Sequence, residues 1–240
     1  MTQHLFIVTS AINTGFGFFS REERIEQLMD TIVSIQEYAP GSKIAIFESS
    51  GIPVEEELLQ KIKGFCHYLI DMSKDANLKA IHDSTDNWDI VKNLCEILAF
   101  YNGLRMLREG GAFEGIDRVH KVSGRYKINR NFDLTVYDDH PDKIVLCKKH
   151  ASQFEGHATI KVNVSWQHCS RLWSWPMQYE EEILKFYDQA IREFTDRVKV
   201  GKYIDIEHML YLFLPPERIH EVDLIGVWGA LGQNGRFVSN

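Results

Sequence analysis

Apolar runs and helical stripes alternate through the first half of the chain. Leu5–Val8 is continuous, rich in strand formers and closed by Thr9 and Ser10, the pattern of a strand covered on both faces. Lys43–Phe47 repeats it and ends at Glu48-Ser49-Ser50-Gly51, and Tyr68–Ile70 and Val119–Val122 are shorter versions. Between the first two runs lies a Gly- and aromatic-rich loop, Asn13–Ser20. Ile25, Leu28, Met29, Ile32, Val33 and Ile35 then stripe a helix from Arg21 to near Ala39-Pro40-Gly41. Pro53 opens a second helix, with Glu55, Glu56 and Glu57 in its first turn, where the helix dipole favours acids. A polar stretch, 71–89, leads to a long helix, Ile90–Arg108, whose buried side carries Val91, Leu94, Cys95, Leu98 and Ala99. Gly110-Gly111 stops it.

Strand and helix in alternation predict an α/β fold with a doubly wound, mostly parallel sheet. The second half is less regular. Lys143–Cys147 and Ala158–Val164 read as strands, Glu180–Val198 and Asp205–Leu214 as helices, and Arg218–Ile225 as a short strand before a Gly-rich tail. No repeat and no linker divides the chain, so residues 1–240 read as one domain.

Composition narrows the class. At 240 residues, with 44% hydrophobic and 25% charged residues, the chain can bury a substantial core and is ordinary for a globular protein. A net charge of -7 argues against general nucleic-acid binding, which needs a surplus of Lys and Arg. The cysteines (Cys66, Cys95, Cys147 and Cys169) lack zinc-type spacing and sit among apolar neighbours, the pattern of buried free thiols. Met1–Val8 has no basic lead, and no apolar run approaches the roughly 20 residues of a membrane span. The chain therefore reads as cytoplasmic.

The segment Arg118–Asn129 carries the most chemistry. A short strand ends in Ser123-Gly124-Arg125-Tyr126, with Gly124 offering a backbone conformation that other residues avoid. Arg125 at the carboxyl end of a strand is placed to grip a phosphate, because ligands of open α/β sheets bind at that end. Lys121, Lys127 and Arg130 extend the basic strip, and strand alternation puts Lys121, Ser123 and Arg125 on one face with Tyr126 opposite.

The order of elements, the opening Val8–Ile12, the turn Ser34–Pro40 and the placement of His120–Asn129 resemble the GT-A fold of nucleotide-sugar-dependent glycosyltransferases. The resemblance covers nearly the whole chain. It implies a nucleotide-binding half, 1–130, and an acceptor-side half, 131–240, with a nucleotide-sugar donor and a sugar acceptor as partners. It also implies Mn²⁺ or Mg²⁺, held by a DXD motif. Ser123-Gly124-Arg125 stands at that position and offers no carboxylate, although hard cations take oxygen ligands. Three alternatives follow: cationic side chains neutralise the diphosphate, acids elsewhere hold a metal, or catalysis is lost. No residue is assigned to a metal.

Thr9, Ser10, Ala11 and Asn13, just after the first strand, are candidates to line the nucleotide, as are Glu48 and Ser49 after the second. Arg24, on the first turn of its helix opposite the apolar stripe, and Lys92, at the start of the long helix where a cation is out of place without an anion, are candidates for phosphate. Trp173 and Trp175 share one side of an extended run and, with His208, are candidates to meet the acceptor sugar. Glu207, and Asp205 after it, are candidates for the base of an inverting transfer or for stabilising an oxocarbenium-like transition state. The four glycines at 226, 229, 232 and 235 suggest a tail folding over the site. The rival functions are a non-catalytic nucleotide-sugar-binding module and a nucleotidyltransferase; the second is weakened by the absence of Lys and Arg from 10–19.

Overall fold

The computed structural model describes residues 2–154, 162–232 and 234–239. The chain runs β1 (His4–Ser10), α1 (Arg21–Tyr38), β2 (Lys43–Glu48), α2 (Glu56–Lys63), β3 (Tyr68–Asp71), α3 (Ala76–Ser84) and α4 (Trp88–Glu109). It continues through β4 (Arg118–Ser123), β5 (Tyr126–Ile128), α5 (Leu134–Asp138), β6 (Ile144–Cys147), β7 (His150–Ala151), β8 (Trp166–Gln167) and β9 (Leu172–Pro176). The last elements are α6 (Glu180–Lys199), α7 (Ile206–Phe213), β10 (Ile219–Val222), β11 (Val227–Ala230) and β12 (Phe237–Ser239).

Seven strands form the central sheet in the order β10-β6-β9-β4-β1-β2-β3, drawn from both halves of the chain. All neighbours run parallel except β9, which is antiparallel to β4 and β6. β1 shows why its apolar run is unbroken. Leu5 and Ile7 face one core with α4 and α6, while Phe6 and Val8 face another with α1 and α2. Both faces are covered, as in other parallel sheets. A small antiparallel sheet, β12-β11-β5, closes one side of the molecule. No helix among the described residues is long and apolar enough to cross a membrane.

Several expectations need correction. The polar stretch 71–89 contains α3, capped by Asp75, whose carboxylate accepts from the Asn77 and Leu78 amides at 2.8 and 3.1 Å. Its single buried residue, Leu78, is too little apolar surface to register as a stripe. α2 begins at Glu56 rather than at Pro53. Of the strand expected at Ala158–Val164, positions 158–161 lie outside the described residues and 162–164 are irregular. The run around Trp173 and Trp175 is β9, but its alternation turns both indoles inward. Each is 0% exposed, their rings lie 4.7 Å apart, and they pack against Phe186 and Phe100. Neither can stack on an acceptor sugar. Cys95, Cys147 and Cys169 are buried and outside any disulfide, whereas Cys66 is only half-buried.

Beneath the sheet, His4 Nδ1 and His120 Nε2 share one hydrogen bond of 2.9 Å, and the His120 ring stacks on Phe6 at 4.4 Å. Arg118 and Tyr137 face His120, and Asp138 lies 3.3 Å from His4 Nε2. Burial lowers the basicity of both rings, and His4 and Arg118 lower that of His120 further. A depressed histidine pKa stabilises the fold above the unfolded value of 6.5, and that stability is lost as acid protonates the unfolded chain. Urea midpoints should therefore fall between about pH 7.5 and about pH 5.5, with His120→Phe flattening the trend. An unchanged slope in that variant would assign the acid sensitivity elsewhere.

Candidate functional site

β1, β2 and β4 end level with one another: Thr9 pairs with Ser123 and Ser10 with Glu48. A cleft opens at this carboxyl edge, where open α/β sheets bind ligands. It has two adjoining cavities, of about 80 and 100 Å³. The first lies beside β1 and touches Thr9, Ser10, Ala11, Ser49, His82 and Trp88. The second lies beside α7 and touches Asn93, Gln153, Ser170, Tyr203, Asp205 and Glu207. They share three residues: Lys92, Glu96 and Arg125.

α4 supplies much of the seam. Trp88, Lys92 and Glu96 are spaced four apart and so project from one helix face. Asn87 caps that helix, its side chain accepting from the Asp89 and Ile90 amides. Trp88 meets Phe16 at 5.5 Å, and Phe16 meets His82 at 6.0 Å, so an aromatic cluster lies at the β1-side cavity. Sequence reasoning missed this cluster and Glu96. The i, i+4 spacing from Lys92 could have found Glu96, but His82 is delivered by α3 and only tertiary contacts bring it here.

The turn after β4 is built by close approach. A Cβ on Gly124 would lie 2.9 Å from the Thr9 carbonyl oxygen, and the Gly124 amide donates to that oxygen at 2.8 Å. Gly124 is thus required by contact with β1 rather than by a left-handed backbone, and its N–H is unavailable to a ligand. The Gly-rich tail does fold over this turn. At Gly229 a Cβ would come within 2.3 Å of the Arg125 carbonyl oxygen, and at Gly232 within 3.3 Å of its guanidinium carbon. β11 pairs with β5, so Leu231 and Gly232 reach the cleft.

Arg125 therefore emerges between tail and cleft. Its Nε is buried with no hydrogen-bond partner among the described residues, and its guanidinium lies 5.9 Å from the Tyr126 ring centre. Tyr126, expected on the opposite face, is buried yet lines the same cavity as Ser123 and Arg125, with Arg171 5.4 Å over its ring. The rest of the basic strip points elsewhere. Lys127 pairs with Asp30 at 2.5 Å and Arg130 is exposed. Lys121, 2% exposed, donates to Glu96 at 2.8 Å, to Ser123 Oγ at 2.9 Å and to the Ser170 carbonyl at 3.0 Å. It anchors the cleft floor and is not a free phosphate ligand.

Two loop candidates are likewise structural. The Glu48 carboxylate is 1% exposed and accepts from Ser10 Oγ at 2.6 Å, the Ile12 amide at 3.1 Å, the Ser50 amide at 3.0 Å and Ser50 Oγ. Burial pushes its pKa up while these donors hold it down. With its oxygens so occupied it fixes the β1 loop instead of meeting a nucleoside. Asn13 clips that loop to Arg21 and to the Pro53 carbonyl, at 2.9 and 2.6 Å. Arg24 is buried and donates to the carbonyls of Phe19, Ala11 and Phe16, yet it still borders the β1-side cavity.

On the other side, Glu207 accepts from Gln167 Nε2 at 2.8 Å and from the Ser170 amide and hydroxyl at 3.2 Å each. Burial first, and Asp205 second, raise its pKa above the usual 4.5. Asp205 caps α7: its Oδ1 accepts from the His208 amide at 3.1 Å and meets His208 Nδ1 at 2.6 Å. His208 is 0% exposed, with Nε2 2.7 Å from Ser152 Oγ. It ties the segment carrying Gln153 and Phe154 to α7 and cannot touch an acceptor.

The architecture is that of a GT-A-like glycosyltransferase fold. The chain is similar to core-mannan synthase A (CmsA/Ktr4) from Aspergillus fumigatus in its Mn/GDP form, with a TM-score of 0.50 and 12% identity over 93% of this chain and 73% of that one. It is similar to galactosyltransferase LgtC in complex with donor and acceptor sugar analogs (TM-score 0.50, 11% identity, 91% and 73% coverage). It is also similar to the mannosyltransferase Ktr4p from S. cerevisiae (TM-score 0.50, 10% identity, 92% and 69% coverage). At such identities the likeness is one of fold. No protein-family model and no curated protein matches the chain.

The fold family implies a divalent cation, and the residues at the seam do not fit one. A hard ion takes six or more oxygen ligands, several of them carboxylates. Here the turn presents a hydroxyl, a glycine and a guanidinium, and the seam's one acid, Glu96, is bound to Lys121. Among the described residues no three His, Cys, Asp or Glu side chains are grouped to hold a metal.

Proposed function

We propose that the cleft transfers a sugar from a nucleotide-diphosphate donor to an acceptor hydroxyl, in the assembly of a polysaccharide or lipopolysaccharide. The observation that carries this reading is the meeting of two cavities at Lys92, Glu96 and Arg125, along the edge where parallel strands end. The nucleoside occupies the β1-side cavity, near Thr9, Ser49 and Trp88. The diphosphate lies at the seam, and the sugar and acceptor face Glu207. As the sugar–oxygen bond to the diphosphate breaks, its electron pair leaves with the phosphate. Arg125 stabilises that charge, the largest single contribution expected in such chemistry. Glu207 either takes the acceptor proton, giving inversion, or stabilises the oxocarbenium-like centre. Both roles need its carboxylate form.

Incubation with a panel of nucleotide-sugars, reading the nucleoside diphosphate released, tests this. Release with one donor and acceleration by an acceptor glycan are expected; no release and no thermal shift across the panel would remove the reading. A non-catalytic binding module is the second reading, favoured by the commitment of both Glu207 oxygens to Gln167 and Ser170. Tight donor binding without release would select it.

Because Glu207 titrates above 4.5, kcat/KM should fall as the pH drops through that raised value, on an acid limb displaced upward from an ordinary glutamate. Glu207→Gln should abolish the limb and lower kcat by about 100-fold or more. Persistence of the limb in the variant would assign it to another acid.

A further inference from the structure

Four cations crowd the cleft, and among the described residues a single ion pair, Lys121 with Glu96, joins any of them to a carboxylate. Arg24, Lys92 and Arg125 border the β1-side cavity, and Lys121 stands behind the shared wall. Lys121 holds Glu96 at 2.8 Å, while Asp89, Asp205 and Glu207 line the adjoining cavity. Arg24 donates to backbone carbonyls alone. Among the described residues no ion pair joins Arg24, Lys92 or Arg125 to a carboxylate, although exposed lysines and arginines elsewhere find one readily.

The two guanidiniums also act on each other. Burial first, and the charge of Arg125 next, make Arg24 easier to deprotonate than a solvated arginine, against the weaker opposing pull of Glu48 and Glu23. Glu96 records the same excess with the opposite sign. Burial alone would raise it, yet Lys121, Lys92 and then Arg125 hold its carboxyl down at about 2. A half-buried positive cluster with little direct counter-charge is costly to fold, and the cost is recovered when a ligand brings further negative charge. Arg125 borders both cavities, so a ligand in either can reach it. Opposite the Arg125 fork lies Gly232, where even a methyl group would stand 3.3 Å from Cζ and Nε.

We propose that this cluster binds the donor's diphosphate without a divalent cation, with Arg125 gripping it through the planar fork and Lys92 and Arg24 supplying further positive charge. The proposal rests on the donor reading above and deepens it. A guanidinium matches phosphate oxygens in pairs, and an ammonium adds a compact point charge beside it. During transfer the diphosphate departs with the electron pair of the broken bond, and its increased charge falls on the same side chains. Nothing needs to be oxidised, reduced or delivered from outside.

The test uses the full chain and calorimetric titration with UDP, GDP, CDP, ADP and dTDP, in a chelating buffer and again with Mn²⁺. At least one diphosphate should bind in both buffers with dissociation constants within about threefold of each other. Arg125→Gln should weaken that binding by about 10–100-fold in both, the loss expected for a charge-assisted contact. Its melting temperature without ligand should stay at or above that of the unaltered chain, separating lost charge from lost fold. Lys92→Met should weaken binding less, since a single point charge is removed. Binding that vanishes on chelation and returns with Mn²⁺ would overturn the metal-free clamp while leaving the donor reading intact. An unchanged affinity in Arg125→Gln would overturn the assignment to that side chain. Failure of every diphosphate in both buffers would overturn the proposal together with the donor reading.

Discussion

Arg125→Ala should lower turnover by at least about 100-fold, the loss seen when one donor to a developing oxyanion is removed. The expectation follows from where the side chain sits. It borders both cavities, so it meets the one point that a nucleoside on one side and a sugar on the other must share. Among the described residues it forms no ion pair, so deleting the charge removes only a longer-range attraction to Glu96 from the unliganded protein. Removing a cation that repels Arg24 should leave the melting temperature unchanged or raise it, the usual mark of a residue kept for function at the expense of stability. Arg125→Lys should recover part of the rate, because a point charge remains while paired geometry is gone. Steady-state kinetics alongside thermal melts decide the matter; a near-normal rate for the alanine variant would take Arg125 out of the mechanism.

Trp173→Ala should cost about 3–5 kcal/mol, a large part of the 5–15 kcal/mol that keeps a typical domain folded. The indole is fully buried between the sheet and α6, and its loss would leave a cavity among Trp175 and Phe186. Trp173→Phe is the informative partner. The Trp173 indole N–H has no acceptor among the described residues, so a phenyl ring gives up volume but no hydrogen bond. That variant should keep most of the stability and all of the acceptor affinity. Urea unfolding read beside acceptor KM separates the two roles. A raised KM at unchanged stability would return the residue to the acceptor site.

How much of this was legible before folding depends on whether a residue's role is local or shared. β1, β2, β4, α1, α4 and α6 were readable because each carries its own periodicity and its own stop. α3 was not, since one buried leucine makes no stripe. The edge position of Ser123-Gly124-Arg125 was readable from a strand ending in a glycine. The reason for that glycine was not, because it is the Thr9 carbonyl of another strand. Glu48 was a candidate for ligand contact because a buried carboxylate needs partners, Lys121 because it belongs to the basic strip, and His208 as an acceptor contact. Their partners turned out to be Ser10 and Ser50, Glu96, and Asp205 with Ser152.

By itself the sequence determined the alternation of strand and helix, the parallel sheet that alternation demands, and an arginine set just past a strand end. Periodicity and backbone preference act over a few residues, so they survive without the fold. Tertiary structure alone decided which cations stay unpaired. The pairing of Lys121 with Glu96, of Lys127 with Asp30, and the isolation of Arg125 beside Lys92 and Arg24 depend on which helix face meets which strand end. Charges interact over ångströms of space and not along the chain, so the same basic strip could have become a salt-bridged surface or, as here, one half-buried fork in a cleft.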